Sequence, residues 1–112
     1  MASDYWAWTG ISGDIPRDEY LRRVGIIGKV FKGGLAMVID RVTAEADRVS
    51  VQARASGTLF NGTTYRQSYH FLVEFDAQDR VCHCREYIDT HAVHEILAPA
   101  MREWANAQQA SL

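Results

Sequence analysis

Between Arg48 and Ile88 apolar and polar residues alternate with a period of two, interrupted by two polar turns. That period places successive side chains on opposite faces of a strand. It predicts strands over 48–59, 65–76 and 79–88. Asn61-Gly62 lies between the first two, and this pair favours the positive φ of a tight two-residue hairpin. Ala77-Gln78 closes the second hairpin. Upstream, 35–44 reads as another strand, joined through the polar turn Glu45-Ala46-Asp47. Asp4 to Thr9 reads as a short aromatic-rich strand closed by Gly10 and Gly13. The period changes between Arg17 and Phe31, where Leu21, Val24, Gly28 and Phe31 fall at helical spacing. Pro16 suits the first turn of that helix, and Asp18 and Glu19 favour its N-terminus. Gly25 and Gly28 weaken it, and a close approach to the sheet is the expected reason. Gly33-Gly34 ends it. Thr90 to Leu97 reads as a last helix, which Pro99 interrupts or restarts, and 99–112 as a polar tail. The order predicts one α+β domain over 1–112. Its strongly curved, mostly antiparallel sheet wraps a single long helix.

Register decides which residues meet. With Phe60 opposite Thr63 and Asp76 opposite Asp79, one sheet face collects Arg66, Ser68, His70, Leu72, His83, Arg85, Tyr87 and Asp89. Ala53, Ala55 and Gly57 lie beside them, so polar groups converge on small ones and predict a hollow. The opposite face, with Gln67, Tyr69, Phe71, Val73, Cys84 and Glu86, reads as an association surface. Asp89, Tyr87 and His70 form a candidate proton-transfer set. The carboxyl exchanges a proton with a substrate, and the other two donate to a developing oxyanion. Trp6, Trp8, Ala53, Ala55, Arg66, Ser68, Leu72, His83 and Arg85 are the candidate ligand contacts. Plainer roles exist for the same residues. Asp89 or Thr90 suits a helix N-cap. The arginines suit a structural charge network, and the tryptophans suit core or interface.

Composition narrows the classes. The 112 residues hold 12 basic and 14 acidic side chains, for a formal charge of −2. The basic residues are scattered, which gives no footprint for nucleic acid. No apolar run has membrane-spanning length and no signal peptide is read, so a cytoplasmic location is expected. Cys82 and Cys84, two apart on a strand, are too far apart for ordinary disulfide geometry. With His83 between them facing away, they match no common zinc module. Neither a metal nor a cofactor is expected.

Asn61-Gly62, Tyr65, the run Tyr69-His70-Phe71, an acidic turn and Arg85-Glu86-Tyr87-Ile88-Asp89-Thr90 carry a resemblance. They resemble the C-terminal half of SnoaL-like proteins, in the nuclear transport factor 2-like (ketosteroid-isomerase-like) superfamily. Tyr5 through the Arg17-Asp18-Glu19-Tyr20-Leu21 helix start is similar to that family's first strand and third helix. The resemblance implies a cone-shaped pocket, and an acid/base role for Asp89 as in the polyketide-cyclase branch. Ala53 and Ala55 stand where the limonene-epoxide-hydrolase branch has an Arg and a second Asp. Trp6 and Trp8 stand where it has water-binding Tyr and Asn. Epoxide hydrolysis is therefore not expected. The two helices that usually precede the first strand of the family are missing here, so the resemblance implies an open pocket, a pocket covered by the tail 99–112, or one covered by a partner subunit, and a homodimer is expected. The expected function is binding of a small apolar or carbonyl-containing molecule. Acid/base isomerase, cyclase or hydratase chemistry and a purely oligomer-forming role are the alternatives.

Overall fold

A computed structural model describes residues 1–110. Six strands form one sheet: β1 (Trp6–Thr9), β2 (Gly13–Pro16), β3 (Phe31–Glu45), β4 (Arg48–Leu59), β5 (Thr64–Phe75) and β6 (Val81–Ile88). Their spatial order is β2-β1-β6-β5-β4-β3, antiparallel except where β1 runs parallel to β6. Helix α1 (Arg17–Val30) follows directly on one edge strand and leads directly into the other. Its start packs Tyr20 beside Tyr5, Ala7 and Ile15. Its end packs Val30 beside Phe31, Leu59 and Tyr65. One helix thus ties both edges of the sheet, which bends around it with bulges in β3 and at the start of β6. The molecule is α+β, with a strongly curved, mostly antiparallel sheet.

The C-terminal region is one nearly continuous helical run. It passes from α2 (Thr90–Ala92) through a π-helical segment (Val93–Leu97) into α3 (Ala98–Ala110). Pro99 has no N–H, and its ring crowds the carbonyl four residues back, so the wider turn sits where the α ladder cannot continue. Leu97 and Ala100 are buried in the main core, and Met101 and Trp104 pack against it. The C-terminal tail, expected as a frayed polar helix from Met101, is a helix docked on the core as far as residue 110; residues 111 and 112 lie outside the described residues.

Several expectations need correction. Strand β2 was not foreseen, and β3 starts at Phe31 rather than at Leu35. An added Cβ would meet nothing within 4 Å at Gly25 or Gly28, so neither glycine marks a close approach of helix to sheet. The glycine that has no room for a side chain is Gly57 in β4, and it is crowded by β3. A Cβ there would lie 2.8 Å from the Phe31 ring and 3.1 Å from the Gly34 carbonyl oxygen.

The register correction matters most. The first hairpin has a three-residue loop, Phe60-Asn61-Gly62, with the Leu59 N–H donating to the Thr63 carbonyl and Gly62 at φ 89. This geometry, a turn followed by one left-handed residue, replaces the expected two-residue turn. It moves β5 by one position against β4: Ala53 faces Tyr69 rather than His70, and Ala55 faces Gln67 rather than Ser68. A slip of one exchanges every side chain between faces. The second hairpin slips twice in the same direction, and the total shift of two restores face parity. Asp79 at φ 59 closes a three-residue loop, and a bulge at Cys82 adds the second shift. His70 therefore faces Tyr87, and Leu72 faces Arg85, still on a common face.

Candidate functional site

The two faces of the sheet carry different chemistry. The helix-free face holds Trp6, Trp8, Arg66, Ser68, His70, Leu72, His83, Arg85 and Tyr87, by alternation and register. The expected set is thus brought together, except that Ala53 and Ala55 turn to the helix-bearing face, where both are buried. Val49 and Val51 accompany those alanines, whereas Leu72 stays with the polar set.

On the helix-free face, Ser68, His70, Tyr87 and Asp89 line an open groove of about 490 Å³, with Asp40, Gln52 and Arg54 opposite. Arg54 grips Asp40 with two hydrogen bonds of 2.8 and 2.7 Å. That bidentate contact holds the Asp40 carboxyl below the usual carboxylate range. His70 hydrogen-bonds Ser50. The Arg85 guanidinium lies over both indoles, 5.9 Å from Trp6 and 5.6 Å from Trp8, and Trp8 tilts against Tyr87. His83 is buried beneath its stack with Trp6; its Nδ1 meets Glu74 at 3.2 Å and its Nε2 has no hydrogen-bond partner. These groups are mostly engaged with one another.

Asp89 sits at the end of β6 and caps α2. Its Oδ1 accepts from the His91 N–H at 3.0 Å and the Ala92 N–H at 3.4 Å. The same junction is pinned from the inner side by Gln67, which is 4% exposed. The Gln67 amide donates to the Tyr65 hydroxyl and to the Asp89 carbonyl, while its oxygen accepts from the backbone N–H groups of Ser68 and Asp89. Each polar atom of Gln67 is thus satisfied, which makes its burial tolerable.

The helix-bearing face was read as an association surface. It is the inner wall of the fold. Glu86 stands there on β6, half-buried, directly across from Phe71. Desolvation raises its pKa above the usual carboxylate value, and among the described residues no group hydrogen-bonds or ion-pairs with it. Its charge is felt at Tyr5, Tyr20, Tyr65 and Tyr69, whose hydroxyl pKa values are all raised, mainly by burial. Tyr5 and Tyr20 have ring centroids 5.1 Å apart, and Tyr69 stacks on Phe71 at 4.9 Å. Burial pushes the neighbouring Cys84 thiol up to about 11, so it stays protonated at neutral pH.

Past these groups the inner wall is apolar and uncovered. Met37 and Ile39, beside Ala55 and Ala53, are 48% and 61% exposed, and Val42 beside Val51 is 56% exposed. Val24 lies on the same side of α1 as Tyr20 and Ile27, yet is 48% exposed. A desolvated acid, a tyrosine hydroxyl and a partly exposed apolar wall therefore lie on one face of the sheet. Glu86, Tyr5, Tyr20 and Tyr69 are the groups that sequence reasoning missed. The available signal was parity along β5. Tyr65, Gln67, Tyr69, Phe71 and Val73 are more apolar than Arg66, Ser68, His70, Leu72 and Glu74, and the more apolar parity belongs against the helices.

The described residues contain no cluster of metal-ligating groups, and no helix is long and apolar enough to cross a membrane. No protein-family model matches the chain and no curated protein matches it, so its likeness to known proteins rests on structure. A protein from Jannaschia sp. CCS1 assigned as a SnoaL-like polyketide cyclase superposes with TM-score 0.74 at 20% identity, over 84% of this chain and 70% of its own. PrhC from Penicillium brasilianum gives 0.75 at 12% identity, over 97% and 74%. TerC, co-crystallised with polyporic acid, gives 0.69 at 21%, over 88% and 80%. The chain has the fold of the SnoaL-like, nuclear transport factor 2-like proteins.

Proposed function

We propose that the protein binds a small, largely apolar molecule on the inner wall of its sheet, where Glu86 is placed for acid/base chemistry. The observation that carries this reading is the unpaired, desolvated Glu86 on the same sheet face as the exposed Met37, Ile39 and Val42. A carboxyl with a raised pKa takes and returns protons near neutral pH more readily than an ordinary one. The Tyr69 hydroxyl, for which no hydrogen-bond partner is found among the described residues, is a donor for a carbonyl oxygen gaining negative charge. TerC, which shares the fold, was crystallised with polyporic acid, and this supports small-molecule binding without naming the ligand here.

Asp89 remains the alternative acid/base residue. Its Oδ1 is taken up by the α2 cap, and its groove is open. The test is proton exchange α to the carbonyl of a cyclic ketone in D₂O, followed by NMR. Glu86→Gln abolishes exchange while Asp89→Asn retains it; the reverse result transfers the chemistry to the helix-free face. Absence of exchange in the parent protein leaves binding alone, read by thermal shift with neutral apolar ketones. There, Ile39→Arg removes the stabilisation and Tyr87→Ser keeps it. A homodimer is proposed alongside, formed through the helix-free face, where Tyr87 is 50% exposed beside Trp8 and Arg85.

A further inference from the structure

We propose that the inner-wall site selects a lipophilic ammonium, that is, an apolar molecule carrying one basic nitrogen. The proposal rests on the reading of the inner wall as the binding site and adds the charge of the occupant. Two features on the page carry it. The first is the distribution of charge. Across the sheet, Lys32, Arg41, Arg48, Arg54, Arg66 and Arg85 are all registered to the helix-free face. On α1, Arg22 and Arg23 are held by Glu19. Among the described residues no hydrogen bond or ion pair joins Glu86 to a cation, and a carboxylate withdrawn from water needs a partner or a proton. The second feature is the surface around it. Phe71 lies directly across, with Tyr69 stacked on it, and the Tyr5–Tyr20 pair, from the residue before β1 and from α1, lies near enough to feel the Glu86 charge. Aromatic faces around a carboxylate form the constellation that recognises an ammonium, through ring quadrupoles and one ion pair. An anion meets no compensating charge on this wall and is repelled by Glu86.

The titratable groups packed around Glu86 are Tyr5, Tyr20, Tyr65, Tyr69 and Cys84, and all have raised pKa values. They stay neutral across the acid-to-neutral range, so Glu86 is the group on this wall that changes charge there. Ammonium selectivity accordingly holds where Glu86 is ionised and fades as pH falls through its raised pKa.

The test uses one apolar cage with three charges: 1-adamantylamine, 1-adamantanol and 1-adamantanecarboxylate. Binding to the full chain is measured by titration calorimetry at pH 8 and again at pH 4.5. At pH 8 the amine binds at least about tenfold more tightly than the alcohol, and the carboxylate binds most weakly. At pH 4.5 the margin over the alcohol shrinks, and in Glu86→Gln it disappears at both pH values while the alcohol still binds. An alcohol that binds the parent protein as tightly as the amine, or an amine preference that persists in Glu86→Gln, overturns the ammonium inference and leaves the site reading intact. Binding of none of the three to the parent protein overturns both. The comparison between pH values needs no variant, so it stands even if Glu86→Gln folds poorly.

Discussion

Single residues here are tuned by which side of the sheet they meet, and Glu86 shows the consequence for stability. Its pKa is raised from an ordinary 4.5 by desolvation. Well below 4.5 the carboxyl is protonated in both folded and unfolded chains, and burial adds no ionic penalty. Above 4.5 the unfolded chain loses this proton first, so folding becomes less favourable as pH rises. The loss is complete once the pH passes the raised folded value. Glu86→Gln is therefore more stable than the parent at pH 8 in urea unfolding, and the difference closes towards pH 4. A variant that is less stable at pH 8 would show that Glu86 makes a favourable contact in its charged form. Gly57 makes a second residue-scale case. An added methyl meets the Phe31 ring at 2.8 Å and the Gly34 carbonyl at 3.1 Å, and the backbone contact cannot swing aside. Gly57→Ala is expected to cost about 1–3 kcal/mol in the same unfolding assay, as overpacked cores do.

At the scale of elements, the join between β6 and α2 is held from both sides. Asp89 caps the helix, and Gln67 fastens the Asp89 backbone to β5. Asp89→Ala should cost about 0.5–2 kcal/mol, the usual value of an N-cap, whereas Asp89→Asn keeps an acceptor oxygen and should cost little. Gln67→Ala leaves the part-buried Asp89 N–H without its partner and should cost about 1–3 kcal/mol. Chemical denaturation of the three variants gives the order, and an Asp89→Asn loss as large as that of Asp89→Ala would contradict the capping role. The elements were largely legible because long alternating runs and one helical run read directly from the chain. The site was legible only in part. Asn61-Gly62 announces a tight turn, but it does not say whether two or three residues form the loop. That single residue decides whether Tyr69 or His70 faces Ala53. The second hairpin hid the same ambiguity, yet two slips restored parity, so the grouping of His70, Tyr87 and Arg85 survived. Short β2 went unread because Gly13 to Pro16 offers four residues and no alternation long enough to count.

The whole molecule divides its two tasks between two faces. In the proposed reading, ligand chemistry belongs on the inner wall with Glu86, and association on the helix-free face with Trp6, Trp8, Arg85 and Tyr87. Interfaces concentrate their energy in Trp, Tyr and Arg set at the centre of a patch, and here those side chains already pack on one another. Little ordering entropy is then lost on contact, because the rings and the guanidinium are held before a second sheet arrives. Two such faces packing back to back would cover this stripe and leave Val24, Met37, Ile39 and Val42 open to ligand. Sedimentation equilibrium should therefore show a dimer. Tyr87→Glu should weaken it by about tenfold or more, since a charge replaces a half-exposed ring at the patch. Val42→Glu, on the other wall, should leave the dimer constant unchanged while reducing apolar ligand binding. A parent chain that stays monomeric at high concentration would remove the proposed interface, and a dimer broken by Val42→Glu would move that interface to the inner wall.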